Sequence, residues 1–191
     1  MRLDGGQVVA RGRKITSEQR AVRAALGYAS KDRDTESLSL EASIRDNISS
    51  AGLRAIGRGR GGLITQRAES AYVKVPVDQL EIKAPGQTTV VSTLSGGNKQ
   101  KVVFGKWIAC GTEVLILDCP TRGVDVGVKQ AMYRLMTALK DEGKAIIIIS
   151  EEMTELMGMS DRLLIMKDGQ VVREFERSAD LNEMEIIECM I

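Results

Sequence analysis

The sequence predicts an α/β fold, a mainly parallel sheet flanked by helices and joined to a helical subdomain. Two observations carry that expectation. Segments 114–118 (Val-Leu-Ile-Leu-Asp) and 145–149 (Ala-Ile-Ile-Ile-Ile) are apolar at nearly every position rather than alternating, as expected of parallel strands covered by helices on both faces. Between and after them, helical spacing over about 126–141 and a third apolar run at 162–166 give the strand, helix, strand alternation of βαβ units.

The elements follow in order. Gly6 to Ile15 alternates weakly, as a strand with a turn, and Thr16 with Gln19 reads as a capping box opening an Ala-rich helix to about Leu26. Gly27-Tyr28-Ala29 is a short strand. The charged run Lys31-Asp32-Arg33-Asp34-Thr35-Glu36 cannot be buried without partners and is expected as a surface loop. From about Leu40 to Ile82 the apolar spacing is helical (Ile44, Ile48, Leu63, Ala68, Ala71, Tyr72), interrupted by Gly57 to Gly62 and by Pro76. Asp168-Gly169 turns a hairpin into Gln170 to Phe175, and a last helix covers about Leu181 to Met190. Methionines 132, 136, 153, 157 and 159 lie at helical spacings and are expected to fill core gaps.

Bulk properties narrow the function. A length of 191 residues with 43% apolar content suits one domain. Twenty-seven basic against 26 acidic residues leave a net charge of +1, so no global field favours nucleic acid or an anionic membrane. Cys110, Cys119 and Cys189 form no C-x-x-C pair, which argues against a zinc site or a disulfide framework and fits a reducing compartment. No apolar run approaches the roughly 20 residues of a membrane span, and the first residues lack a signal sequence's apolar stretch.

The chemistry concentrates in two places. Leu94-Ser95-Gly96-Gly97-Asn98-Lys99-Gln100 opens a helix with a serine hydroxyl and two glycine amides, presenting N–H donors and the positive end of a helix dipole to an anion with no Cβ in the way. Asp118 ends a buried strand, where open α/β sheets bind ligands, and an acid there can hold magnesium through water. No G-x-x-x-x-G-K-[ST] phosphate loop occurs. Gly57-Arg58-Gly59-Arg60-Gly61-Gly62 matches G-x-G-x-x-G formally, but no strand precedes it, so a loop is the better reading.

With Pro120-Thr121-Arg122-Gly123-Val124-Asp125 downstream, these motifs resemble the ATP-binding cassette (ABC) family of transporter ATPases. More of the chain is similar to the second cassette of the tandem-cassette ATPases of bacterial monosaccharide importers. That likeness rests on Gly27 to Arg33, the signature with Gln100-Lys101-Val102-Val103, the turn through Gly127, and Ile149-Ser150-Glu151-Glu152-Met153 with Leu156 to Arg162. The resemblance implies a partial nucleotide-binding domain over 1–191, with a helical subdomain at about 40–110 and an α/β core at about 111–191. The family's phosphate-loop segment would lie before Met1, and the chain alone would be inactive.

It further implies that Leu94, Ser95, Gly96, Gly97, Asn98, Gln100, Asp118 and Asp125 contact or approach ATP, with magnesium weakly at Asp118. The signature would act on nucleotide held by the first cassette. The other implied partners are membrane permease subunits and, indirectly, a periplasmic or extracellular sugar-binding protein, with no nucleic acid, at the cytoplasmic face of the membrane. Three departures qualify the site. Cys119 stands where the family has its catalytic glutamate, and a thiol, with an ordinary pKa near about 8.5, is a poor general base. Glu151 replaces the switch histidine, and Lys31 the usual glutamine in a loop that in the family faces the membrane subunit. This half is therefore expected to donate the signature and to have a degenerate site of its own. The alternatives are a soluble cassette ATPase of DNA repair or translation, and a non-catalytic regulatory cassette.

Overall fold

The computed structural model describes residues 6–10, 12–58, 61–178 and 181–190, in two compact units, Met1–Ile147 and Ile148–Ile191. Gly59 and Arg60 of the formal G-x-G-x-x-G match lie outside the described residues.

The first unit opens with an antiparallel hairpin of β1 (Val8–Ala10) and β2 (Arg13–Ile15). Helix α1 (Glu18–Arg23) follows. Its cap is Ser17, whose hydroxyl accepts from the Arg20 amide at 3.3 Å. The predicted box at Thr16 and Gln19 is thus displaced by one residue, and Arg20 at the third helical position cannot return an acceptor. The helix also stops short of Leu26, because Leu26 begins strand β3 (Leu26–Ala29).

β3 pairs in parallel with β4 (Val114–Asp118), Tyr28 opposite Ile116, and β5 (Ala145–Ile149) completes a sheet of order β3-β4-β5. Leu115 and Leu117 are 1% exposed. The ring of Trp107 lies 2.8 Å from where a Cβ on Gly27 would be, so the helix that precedes β4 and carries Trp107 lies close on that side. The expectation of two covered faces is corrected: Val114 and Ile116 are half-buried, and Tyr28, Ile147 and Ile149 are exposed. A nearly continuous apolar run makes both faces fit for burial, but among the described residues the Leu115 and Leu117 side is closed over and the Val114 and Ile116 side only half covered. Leu117→Ala should cost about 2–5 kcal/mol, the range for a buried leucine whose site cannot collapse; urea unfolding monitored by circular dichroism measures it.

Among the described residues, four α-helices lie between β3 and β4. Ser43 and Asp46 make a reciprocal capping box at α2 (Ile44–Ser49), with the Asp46 amide donating to Ser43 Oγ at 3.1 Å and the Ser43 amide to Asp46 Oδ2 at 3.2 Å. After α3 (Leu53–Gly57), α4 (Gln66–Gln79) runs through Pro76 instead of ending there. A helical proline forfeits one hydrogen bond, yet Pro76 and Val73 are the residues α4 buries, and that burial offsets the loss. Helix α5 (Gly96–Ala109) packs against both α2 and α4. Val102, Val103 and Phe104 of α5, Ile44 and Ile48 of α2, and Val73 of α4 are at most 1% exposed, so α5 sits in this core. Helix α6 (Val126–Asp141) has the predicted bounds and buries Met132, Met136 and Leu139.

In the second unit, α7 (Met153–Met159) precedes an antiparallel hairpin of β6 (Arg162–Lys167) and β7 (Gln170–Glu176), and α8 (Glu183–Met190) follows. The 162–166 run was expected in the parallel sheet; instead β6 pairs with β7 through the Asp168-Gly169 turn. The two-residue turn brings β7 beside β6 at a far smaller loop-closure cost than a crossover back to the parallel sheet, which period alone does not reveal. Leu163, Ile165 and Ile186 make this unit's core, with Met153, Leu156, Met157 and Phe175 packed against it.

Candidate functional site

The site is built around the N-terminus of α5. Ser95 has extended backbone angles (φ −62°, ψ 155°) and caps the helix. Its Oγ accepts from the Asn98 amide at 3.4 Å and from Asn98 Nδ2 at 3.1 Å, while Asn98 Oδ1 accepts from the Lys83 amide at 3.0 Å. The first ladder bond runs from the Lys99 amide to the Ser95 carbonyl. Helix geometry therefore leaves the amides of Gly96 and Gly97 without intrahelical acceptors. Ser95 is exposed, Leu94 and Gly96 half-buried.

Both glycines are fixed by close approach. A Cβ on Gly97 would fall 2.6 Å from Val128 Cγ2, and one on Gly96 would fall 2.9 Å from Arg33 Nη2 and 3.8 Å from the Gly123 carbonyl oxygen. The first contact seats the start of α5 on the start of α6. Asp125 caps α6, its Oδ1 accepting from the Val128 amide at 2.9 Å. The turn between β4 and α6 is set by Cys119 (φ +46°) and Gly123 (φ +68°), with the Arg122 amide donating to the Cys119 carbonyl at 3.0 Å. A cysteine in the left-handed region costs on the order of 1–2 kcal/mol. Asp118, before this turn, accepts from the Tyr28 hydroxyl at 3.2 Å. Burial first, and the adjacent Asp118 carboxylate second, push the Tyr28 phenol above its usual value.

The charged run is where sequence reasoning fell short. Instead of a solvated loop, Arg33–Ser37 is a π-helical turn lying on α5. Arg33 Nη1 donates to Gln100 Oε1 at 3.3 Å, Lys99 Nζ binds Asp34 Oδ2 at 2.8 Å, and Lys106 Nζ donates to the Ser37 carbonyl at 3.3 Å. Gln100, 4% exposed, is thus engaged within the fold. These partners lie 65 to 69 residues apart in sequence, so no local pattern announces them. Lys31, Asp32, Arg33, Asp34, Thr35, Arg122 and Gly123 line a cleft of about 350 Å³ beside the turn.

The ammonium of Lys99, first as a hydrogen-bond donor, holds the Asp34 carboxyl below its ordinary range. A depressed pKa stabilises the fold above the ordinary value of 3.8, and that contribution is lost as pH falls through the folded value. The stability difference between the wild type and Asp34→Asn should accordingly be full at neutral pH and vanish in acid below the folded pKa. Urea midpoints measured across pH 2 to 7 check it.

The predicted residues thus fall into groups. Leu94 to Gln100 and the 120–125 turn are brought together by the seating of α5 on α6, and Asp118 stands at the head of that turn. Glu151 is exposed and belongs to the second unit. Among the described residues no cluster of three acidic, cysteine or histidine side chains surrounds a common point. Asp118 alone suits magnesium only where phosphate and water complete the shell.

The model of a protein family described as ABC transporter matches residues 1–122. The chain belongs to the ABC transporter family. Its curated relatives include the ribose import ATP-binding protein of Bacillus subtilis, 43% identical over 175 residues, covering 91% of this chain and 35% of that protein. Another is a putative ribose/galactose/methyl galactoside import ATP-binding protein of Rhizobium etli, 41% identical over 182 residues, 94% of this chain and 34% of that one. The chain spans about a third of the length of these relatives. Among solved structures, a dimeric ATP-binding cassette in a post-hydrolysis state with ADP and Pi has a TM-score of 0.75 at 17% identity, over 92% of this chain and 75% of that one. A nucleotide-free cassette from an ABC transporter reaches 0.76 at 16% identity, over 98% and 74%. The cassette fold expected from the sequence is therefore the fold found. Among the described residues no helix is long and apolar enough to cross a membrane.

Proposed function

We propose that this cassette serves a bacterial sugar importer as the signature donor of a composite ATP site, with a degenerate site of its own. The observation that carries this is the α5 N-terminus, where the exposed Ser95 caps a 14-residue helix and the amides of Gly96 and Gly97 have no intrahelical acceptor. Bound ATP would supply the phosphoryl group whose hydrolysis drives transport. This chain's residues would orient and neutralise that phosphate: the Ser95 hydroxyl and glycine amides as donors, the dipole of a 14-residue helix behind them. Across the turn, Asp118 is followed by a thiol, which leaves no carboxylate beside it to take a proton from water.

The names of the relatives support ribose or a related monosaccharide as the imported class. In this reading the first cassette holds the ATP, permease subunits span the membrane, a sugar-binding protein delivers the substrate, and the cassette sits at the cytoplasmic face. Because the phosphate-binding partner is supplied by that first cassette, the 191-residue chain alone should show no ATP binding at micromolar concentrations. Titration calorimetry tests it, and a micromolar dissociation constant for ATP would overturn the donor reading.

A further inference from the structure

The segment Arg33–Ser37 touches α5 at three levels. The Arg33 guanidinium lies over Gly96 and reaches Gln100, Asp34 holds Lys99, and the Ser37 carbonyl receives Lys106. Gly96, Lys99, Gln100 and Lys106 follow one another at helical spacing, so this side of α5 is clamped along most of its length. The clamp is charged and shielded on its cationic side. The side chains of Lys99 and Arg33 are 14% and 18% exposed, against 44% for Asp34, so loss of the carboxylate leaves a largely buried cation without its partner. Just upstream, Lys31 and Asp32 form the rim of the cleft with Arg122, whose guanidinium lies 3.8 Å from the Asp32 carboxylate.

We infer that Arg33 and Asp34 are positioning residues: their contacts with Gly96, Lys99 and Gln100 hold the N-terminus of the signature helix, and with it Ser95, Gly96 and Gly97, in place against the 31–37 segment. This rests on the reading that the signature closes over phosphate. The physical reason is stiffness: an ion pair at Lys99, a guanidinium hydrogen bond to the Gln100 amide and a main-chain contact from Lys106, spread over residues 99 to 106, resist both sliding and tilting of α5. A loosened clamp lowers the fraction of molecules whose signature is correctly placed, and apparent nucleotide affinity falls by that fraction.

The test uses ATP hydrolysis by the assembled importer. Lys99→Glu places a carboxylate against Asp34 and should raise the KM for ATP about tenfold. Lys99→Arg, which keeps the ion pair, and the exchanged pair Lys99→Glu with Asp34→Lys should both stay within about threefold of wild type. A change that merely lowers the folded fraction reduces the apparent kcat and leaves KM alone. A KM within twofold of wild type in Lys99→Glu, or equal impairment by Lys99→Arg, would overturn the inference. Ser95→Arg is assayed alongside: full activity there removes the signature reading itself, whereas an inactive Ser95→Arg beside a normal Lys99→Glu removes only the clamp.

Discussion

Replacing Ser95 by arginine should abolish ATP hydrolysis by the assembled importer, by about 100-fold or more, whereas Cys119→Ala should leave the rate within about twofold. The asymmetry follows from the geometry. Ser95 is the exposed cap of a long helix and its hydroxyl accepts only from Asn98 of the same helix among the bonds described, so its proton is available to an anion. Arginine removes the cap, at about 1 kcal/mol of stability, and fills the approach to the Gly96 and Gly97 amides with a long side chain. Loss of a preorganised donor to developing charge costs about 10²–10³ in rate. Cys119 turns the chain after β4, and alanine keeps that turn. Steady-state hydrolysis of both variants decides the matter; equal losses would refute a site in which this cassette gives the signature and another does the chemistry.

Gly97→Ala should destabilise the fold by about 1–3 kcal/mol, the range for overpacking, although alanine is intrinsically the better helix former by about 1 kcal/mol. The new methyl would meet both methyls of Val128, at 2.6 and 3.0 Å. Both belong to one branched side chain with a single favoured helical rotamer, so neither can swing away. Val128→Ala should restore stability to the Gly97→Ala background while costing little alone, a non-additivity expected only of residues in contact. Urea unfolding of the two single variants and the double variant measures it, and additive effects would show that α5 and α6 are not seated through this contact. Gly96→Ala makes a useful contrast. Its methyl meets the far end of the flexible Arg33 side chain, so stability should change less than for Gly97→Ala.

Much of the fold was legible because it rests on local periodicity. The bounds of β4, β5 and α6 follow from apolar runs and a 3.6-residue repeat, and the β6–β7 turn from Asp168-Gly169. Errors arose where packing or pairing beyond the hydrophobic period decided the outcome. Pro76 is carried inside α4 because its ring is buried, β6 left the parallel sheet for its hairpin neighbour, and one face of the β3-β4-β5 sheet is only half covered although its residues are apolar.

The sequence by itself determined the family and the kind of chemistry. Glycine spacing, a serine cap and an acid at a strand end are local requirements of phosphate recognition and can be read in order. Only the tertiary structure decided how the signature is held. The Lys31 to Glu36 run reads as a solvated surface because charge without a visible partner is costly to bury; its partners Lys99 and Gln100 lie on α5, more than 60 residues away. A pairing energy between groups that distant in sequence exists only once the chain has folded, so only the folded chain reveals it.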